Sequence, residues 1–151
     1  MPRLRIFVLC AFVACLIVPV FPASAAGSAE DQMIAKINSY RAQHGLPKVR
    51  QSKSLTRSAE RYSWKQMRNG YFGHANRIQA SSKYDRLGEI LAWRRGTRAA
   101  VRETFRMWLN SGGHRAVIMD RGFRYAGAGL AQGRHGGGRK AAIWTVQFGA
   151  R

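Results

Sequence analysis

The 151-residue chain holds one ordinary domain, with little room for a second. Its 46% hydrophobic and 11% aromatic content supports a packed core and excludes wholesale disorder. Its 2 cysteines, Cys10 and Cys15, exclude a disulfide-dense scaffold or a cysteine-built zinc finger. The formal charge of +19, from 26 Lys and Arg against 7 Asp and Glu, speaks to anionic partners and solubility rather than to fold.

Residues 1–25 have the order of a secretory signal. Arg3 and Arg5 supply a charged start, Ile6 to Phe21 is apolar and uncharged, and Ala23-Ser24-Ala25 offers the small residues a signal peptidase reads. An uncleaved anchor is the rival reading, but the apolar run falls just short of a usual span, and Pro19 and Pro22 favour cleavage. A lipoprotein anchor at Cys15 is weaker, because Phe12 is a poor residue three positions upstream. Cleavage after Ala25 leaves 126 residues with neither cysteine, so no disulfide is expected in an oxidising compartment. It also leaves 24 basic side chains, 18 of them Arg, against the same 7 acids. Arg forks suit carboxylate and phosphate, while a GC-rich genome explains the same count equally well.

Residues 26–32 form a short lead and 33–149 the domain. Met33, Ile34, Ile37 and Tyr40 recur at helical spacing, with Ser28 and Asp31 as an N-cap pair and Gly45 and Pro47 as the stop. A second helix is predicted from about Ser54 to Asn69, burying Leu55, Ala59, Tyr62 and Met67 and stopping at Asn69-Gly70. Tyr71 to Gly96 lacks a sustained period and reads as loop with short helical turns; loops of that length inside a domain are usually functional. Thr97 is expected to cap a third helix running to about Asn110, with Val101, Thr104, Phe105 and Trp108 on its apolar face. Arg95, Arg98, Arg102 and Arg106 follow spacings of three and four and predict a basic stripe beside that face. A short helix over His114 to Met119 precedes two strands, Phe123 to Ala131 and Lys140 to Phe148. In the second, Trp144, Val146 and Phe148 alternate with Ile143, Thr145 and Gln147. The glycines between them allow an antiparallel hairpin. Helices first and strands last make the class α+β.

His44, beside a helix stop, and His135, in the glycine turn, read as surface residues. His74 follows Tyr71-Phe72-Gly73 after a helix end; His114 follows Ser111-Gly112-Gly113 at the start of a short helix. Glu89 is a lone acid amid apolar neighbours and needs a partner. Two imidazoles and a carboxylate can hold a zinc-like cation or form a proton-transfer pair. Equally, His74 can cap a helix and Glu89 can accept backbone N–H groups. Spacing alone does not join the three, and on composition and spacing the structural reading is the simpler one.

Ile37-Asn38-Ser39-Tyr40-Arg41, Gly45-Leu46-Pro47, Leu55 and Ala59, and Gly70-Tyr71-Phe72-Gly73-His74 stand in an order that resembles a bacterial CAP (SCP-like) domain. So do Gly88-Glu89, Trp108-Leu109-Asn110-Ser111-Gly112-Gly113-His114-Arg115, Phe123 with Gly127-Ala128-Gly129, and Trp144-Thr145-Val146-Gln147-Phe148-Gly149. CAP is the superfamily of cysteine-rich secretory proteins, antigen 5 and plant pathogenesis-related class-one proteins. The resemblance covers roughly Met33 to Gly149. It implies a three-layer α-β-α sandwich with a central cleft, in which His74 and His114 pair with Glu89 and, in some members, bind a divalent cation. Where many animal and plant members carry a second cleft glutamate, this chain has Ser111, as in the bacterial branch; Ile90 replaces an asparagine, and the common disulfides are absent.

The resulting expectation is a secreted or extracytoplasmic monomer that binds without catalysis. The partners expected are an anionic extracellular polymer, an acidic lipid or a cell-wall component, with nucleic acid as a non-specific alternative. The runner-up is a metal-assisted hydrolase in which His74 and His114 hold a cation, Glu89 orients or deprotonates water, and Ser111 bonds substrate. A direct Ser111–His114 nucleophile pair lacks an orienting acid. A hydrophobic-ligand carrier would use Trp64, Tyr71, Phe72 and Trp93, but those aromatics are better assigned to the core.

Overall fold

The computed structural model describes residues 27–151. The expected signal segment, with Cys10 and Cys15, lies outside them. The first helix, α1 (Ala29–Gln43), begins inside the predicted lead. Ser28 Oγ accepts from Asp31 N at 3.1 Å, as the N-cap pairing predicts. Gly45, at φ +65°, lets the chain turn off the helix end, and Leu46 N donates to Arg41 O. A two-residue strand, β1 (Arg50–Gln51), leads into α2 (Lys53–Asn69), which Ser52 caps and a left-handed Gly70 ends.

The predicted loop between Tyr71 and Gly96 is only partly loop. Its second half is a ten-residue strand, β2 (Arg86–Arg95), antiparallel to β4. Both faces of β2 are covered, so the polar–apolar alternation of a half-exposed strand never develops. Thr97 does not cap the next helix. Gly96 turns the chain at φ +82°, and α3 (Val101–Asn110) starts after Ala100, which has φ +45° and makes no side-chain cap bond. Trp144 Nε1 donates to Ala99 O at 2.7 Å and holds this entry in place. The short helix α4 (Gly112–Met119) starts two residues earlier than predicted. The predicted hairpin is present as β3 (Tyr125–Arg134) and β4 (Lys140–Ala150).

The sheet order is β1-β3-β4-β2, with β1 parallel to β3 and the other neighbours antiparallel. On one face Ile90, Ala92, Ala126, Ala128, Trp144, Val146 and Phe148 form the main core with Met33, Ile34 and Ile37 of α1, Trp108 of α3 and Ile118 of α4. Each of the larger aliphatic side chains contributes about 1.5–3 kcal/mol by leaving water, and each alanine less. On the other face α2 lies along β3 and β4, where Met67 packs on Ala131, Ala141 and Ile143. These are the three layers the resemblance implies, and the class is α+β. The approach of α2 to β3 is close enough to need glycine: a Cβ on Gly127 would lie 2.1 Å from Thr56 N, and one on Gly129 2.3 Å from Glu60 N.

α1 is anchored by Arg41, a fully buried guanidinium. Its Nε donates to Pro47 O, Nη1 to Ile118 O and Asp120 O, and Nη2 to Phe123 O, at 2.6–3.1 Å. Burial, with Arg124 nearby, lowers its proton affinity from the ordinary arginine value.

Candidate functional site

The α2 face of the sheet carries polar side chains at one end, where β2 and β4 bring Glu89 and Gln147 into register. After α2 stops at Gly70, two contacts fasten the returning chain. Gly73 N donates to Gln66 Oε1 at 3.0 Å, and Tyr62 Oη donates to Gly73 O at 2.7 Å. Burial first, then Tyr71, raises the Tyr62 phenol well above its ordinary pKa, so the hydroxyl stays a donor. This fastening sets His74 above Glu89.

Glu89 accepts three hydrogen bonds. Oε1 accepts from His74 Nδ1 at 3.1 Å and from Ala75 N at 3.0 Å; Oε2 accepts from Gln147 Nε2 at 2.8 Å. The Glu89 side chain is 5% exposed and that of His74 63%. A carboxylate only accepts, so Nδ1 of His74 carries the hydrogen and Nε2 is left for a ligand. Gln147 is oriented by the same logic: its amide N–H faces Glu89, and its Oε1 is buried without a partner.

His114, in the first turn of α4, has a buried Nδ1 with no hydrogen-bond partner. Its proton affinity lies below the ordinary histidine value, mainly because burial strips water from the ring and secondarily because of charge on His74. Of the two imidazoles, Glu89 bonds only that of His74. Ser111 joins α3 to α4 and its side chain caps neither helix.

Beside His74 opens a cleft of about 730 Å³ between α2 and residues 71–79, lined also by Arg61, Tyr62, Lys65, Arg68, Arg77 and Gln147. Sequence reasoning missed the cations here, although Arg57, Arg61 and Lys65 recur every four residues. The predicted Arg stripe is not a helix face: Arg95 ends β2, Arg98 lies in the link, and only Arg102 and Arg106 are on α3. Trp64 and Phe72 do not fill the core; they are 41% and 47% exposed. Tyr71 and Trp93 are half-buried. His135 is half-buried, and its Nε2 donates to Tyr71 O at 3.0 Å.

Among the described residues, no three His, Cys, Asp or Glu side chains are grouped as a cation cage. Three N–H donors hold the Glu89 carboxylate, two on Oε1 and one on Oε2, so in this geometry its evident role is to position the His74 imidazole. His74 keeps its Nε2 free toward the cleft, while His114 is not among the residues that line it.

The family model for CAP, the cysteine-rich secretory protein family, matches residues 34–148. The Bacillus subtilis (strain 168) protein YkwD is 26% identical over 134 residues, covering 83% of this chain; the chain spans 48% of that relative's length. Among solved structures, an outer surface protein of Borrelia burgdorferi superposes with a TM-score of 0.66 at 19% identity, over 80% of this chain and 91% of that one. An extracellular SCP-domain protein of Bacillus anthracis str. Ames does so at 0.67 and 20%, over 82% of this chain and 40% of that one. At these identities the structural likeness establishes the fold. No helix among the described residues is long and apolar enough to cross a membrane.

Proposed function

The chain belongs to the cysteine-rich secretory protein (CAP) family, and from that premise we propose that it is a secreted or extracytoplasmic binding domain that takes an anionic ligand into the cleft beside His74 without catalysing its breakdown. The observation that carries this reading is the fastening of Glu89 to His74, Ala75 and Gln147 beside a cleft walled by cations. A general base needs a free lone pair within reach of the proton it takes. Here three N–H donors hold the carboxylate and leave one acceptor site, on Oε2 beside Gln147, which favours a positioning role for Glu89 over proton abstraction. Glu89 instead fixes the imidazole of His74, with Nε2 available in a cleft whose other walls are cationic. A divalent transition ion would be held by His74 and His114 alone, with Glu89 behind the first ring, and would supply an electropositive centre for an anionic group.

Export is checked by N-terminal sequencing of the secreted protein, which should begin near Ala26. The site is checked by zinc titration calorimetry at pH 7.5 and 5.5. Weak binding at the higher pH should fade at the lower one, because neutral imidazole is the ligand, and should vanish in the His74→Ala/His114→Ala double variant. Hydrolysis of envelope polymers that is abolished by Glu89→Gln would overturn the non-catalytic reading.

A further inference from the structure

A second cleft, of about 490 Å³, follows the first along the same side of α2. Lys53 and Arg57 line it; Arg61, Lys65 and Arg68 line the first. These five cations stand four, four, four and three residues apart, so they form one row about 22 Å long at the α-helical rise. Arg77 and Lys83 face the row from residues 71–85. No carboxylate lines either cleft, and the one acid on α2, Glu60, is absent from both. Among the described residues none of the seven cations is in a salt bridge. Arg61 uses one N–H on Gln79 O, which ties the facing wall to the row.

The remaining groups in the clefts narrow the chemistry. The second is rich in hydroxyls, from Ser52, Ser54, Ser81 and Tyr125. The first holds Gln147 Oε1, a buried acceptor without a partner whose orientation Glu89 dictates. An orphaned buried acceptor calls for a hydroxyl or N–H from the ligand. The exposed aromatics Trp64 and Phe72 line neither cleft, and the tyrosines that do are half-buried and already packed, Tyr62 edge-on to Tyr71 and Tyr125 against Tyr84 and Arg151, which disfavours the base stacking that single-stranded nucleic acid uses.

We propose that the two clefts along α2 form one continuous binding track for a linear acidic polysaccharide, whose charged groups meet the Lys53–Arg68 row and whose sugar hydroxyls meet Gln147 and the serines. This rests on the cleft-binding reading above and names its ligand class.

The test uses an oligogalacturonate decamer, a disaccharide of the same sugar, and an oligodeoxythymidine of matched charge, each titrated against the exported domain at several salt concentrations. The decamer should bind far more tightly than the disaccharide, which can occupy only one cleft, and more tightly than the oligodeoxythymidine. Arg57→Glu/Arg61→Glu, one reversal per cleft, should weaken decamer binding by about tenfold or more and flatten the log–log salt dependence by about two. Arg102→Glu/Arg106→Glu on α3 changes net charge equally and should leave binding within about threefold. Equal weakening by both pairs would mean attraction to overall charge only and would overturn the track. Tighter binding of oligodeoxythymidine would assign it to nucleic acid instead. His74→Ala separates the two readings: loss of binding there with no effect of the α2 reversals sinks the track and leaves the site reading standing. Loss with the α2 reversals but not with His74→Ala supports the track and sinks the site reading.

Discussion

Replacing Arg41 by methionine should cost the domain about 3 kcal/mol. Methionine fills much of the same space but donates nothing, so four carbonyls lose their partner. Those of Ile118 and Phe123 are buried, and each orphaned acceptor costs about 1–3 kcal/mol. Those of Pro47 and Asp120 are part-buried and can turn to water, so their loss adds little. Against this stands the relief of no longer burying a charge that the Asp120 carboxylate offsets only from a distance. For a domain of this size the melting temperature should fall by about 10 °C. Urea unfolding followed by circular dichroism gives the free energy, and a scan gives the temperature. Arg41→Lys keeps the charge but loses the planar fork, so it should recover little of the deficit. If Arg41→Met lies within about 1 kcal/mol of the parent, or if lysine restores full stability, then charge or volume matters at this position and the four-carbonyl cage does not.

Gly129→Ala should destabilise by about 1–3 kcal/mol, because its Cβ meets the α2 backbone and the helix must shift; an unchanged melting curve would count against the close packing. The imidazole of His114 should titrate below the ordinary value of about 6.5 by NMR, and His74→Ala should raise it only partly, since burial is the larger cause. The Asp120 carboxyl is held below its usual range by two hydrogen bonds from Arg86. Its contribution to stability is therefore present above about pH 3.9 and lost as pH falls through the lowered native value. Asp120→Asn should flatten that acid limb, and an unaltered limb would place the acid sensitivity elsewhere.

Segments where one physical signal dominated were legible from sequence. Ser28 and Gly70 announce the helix ends they make, and Trp144, Val146 and Phe148 alternate because β4 divides two unlike layers. β2 was not legible as a strand because Ile90 and Leu91 are buried on opposite faces, which erases the period-two pattern. The Arg stripe misled because a spacing of three and four means a face only if one helix carries it, and Gly96 breaks the chain between Arg95 and Arg98. The pairing of His74 with Glu89 came from the family resemblance. Residue spacing could not supply it, since the strand register and the turn after Gly70 bring the two together. Gln147 was placed on the correct face, but its role needed the register.

The position of β4 has a consequence for how the chain is made. The last of the described strands is also an interior one, pairing with β2 on one side and β3 on the other. During synthesis β2 therefore emerges well before its only neighbour in the sheet, and α1 waits longer still for the Phe123 carbonyl that Arg41 requires. Such non-local closure is slow, and it cannot begin from the N-terminal side. The sheet of the described residues therefore closes only when β4 is available to join β2 to β3.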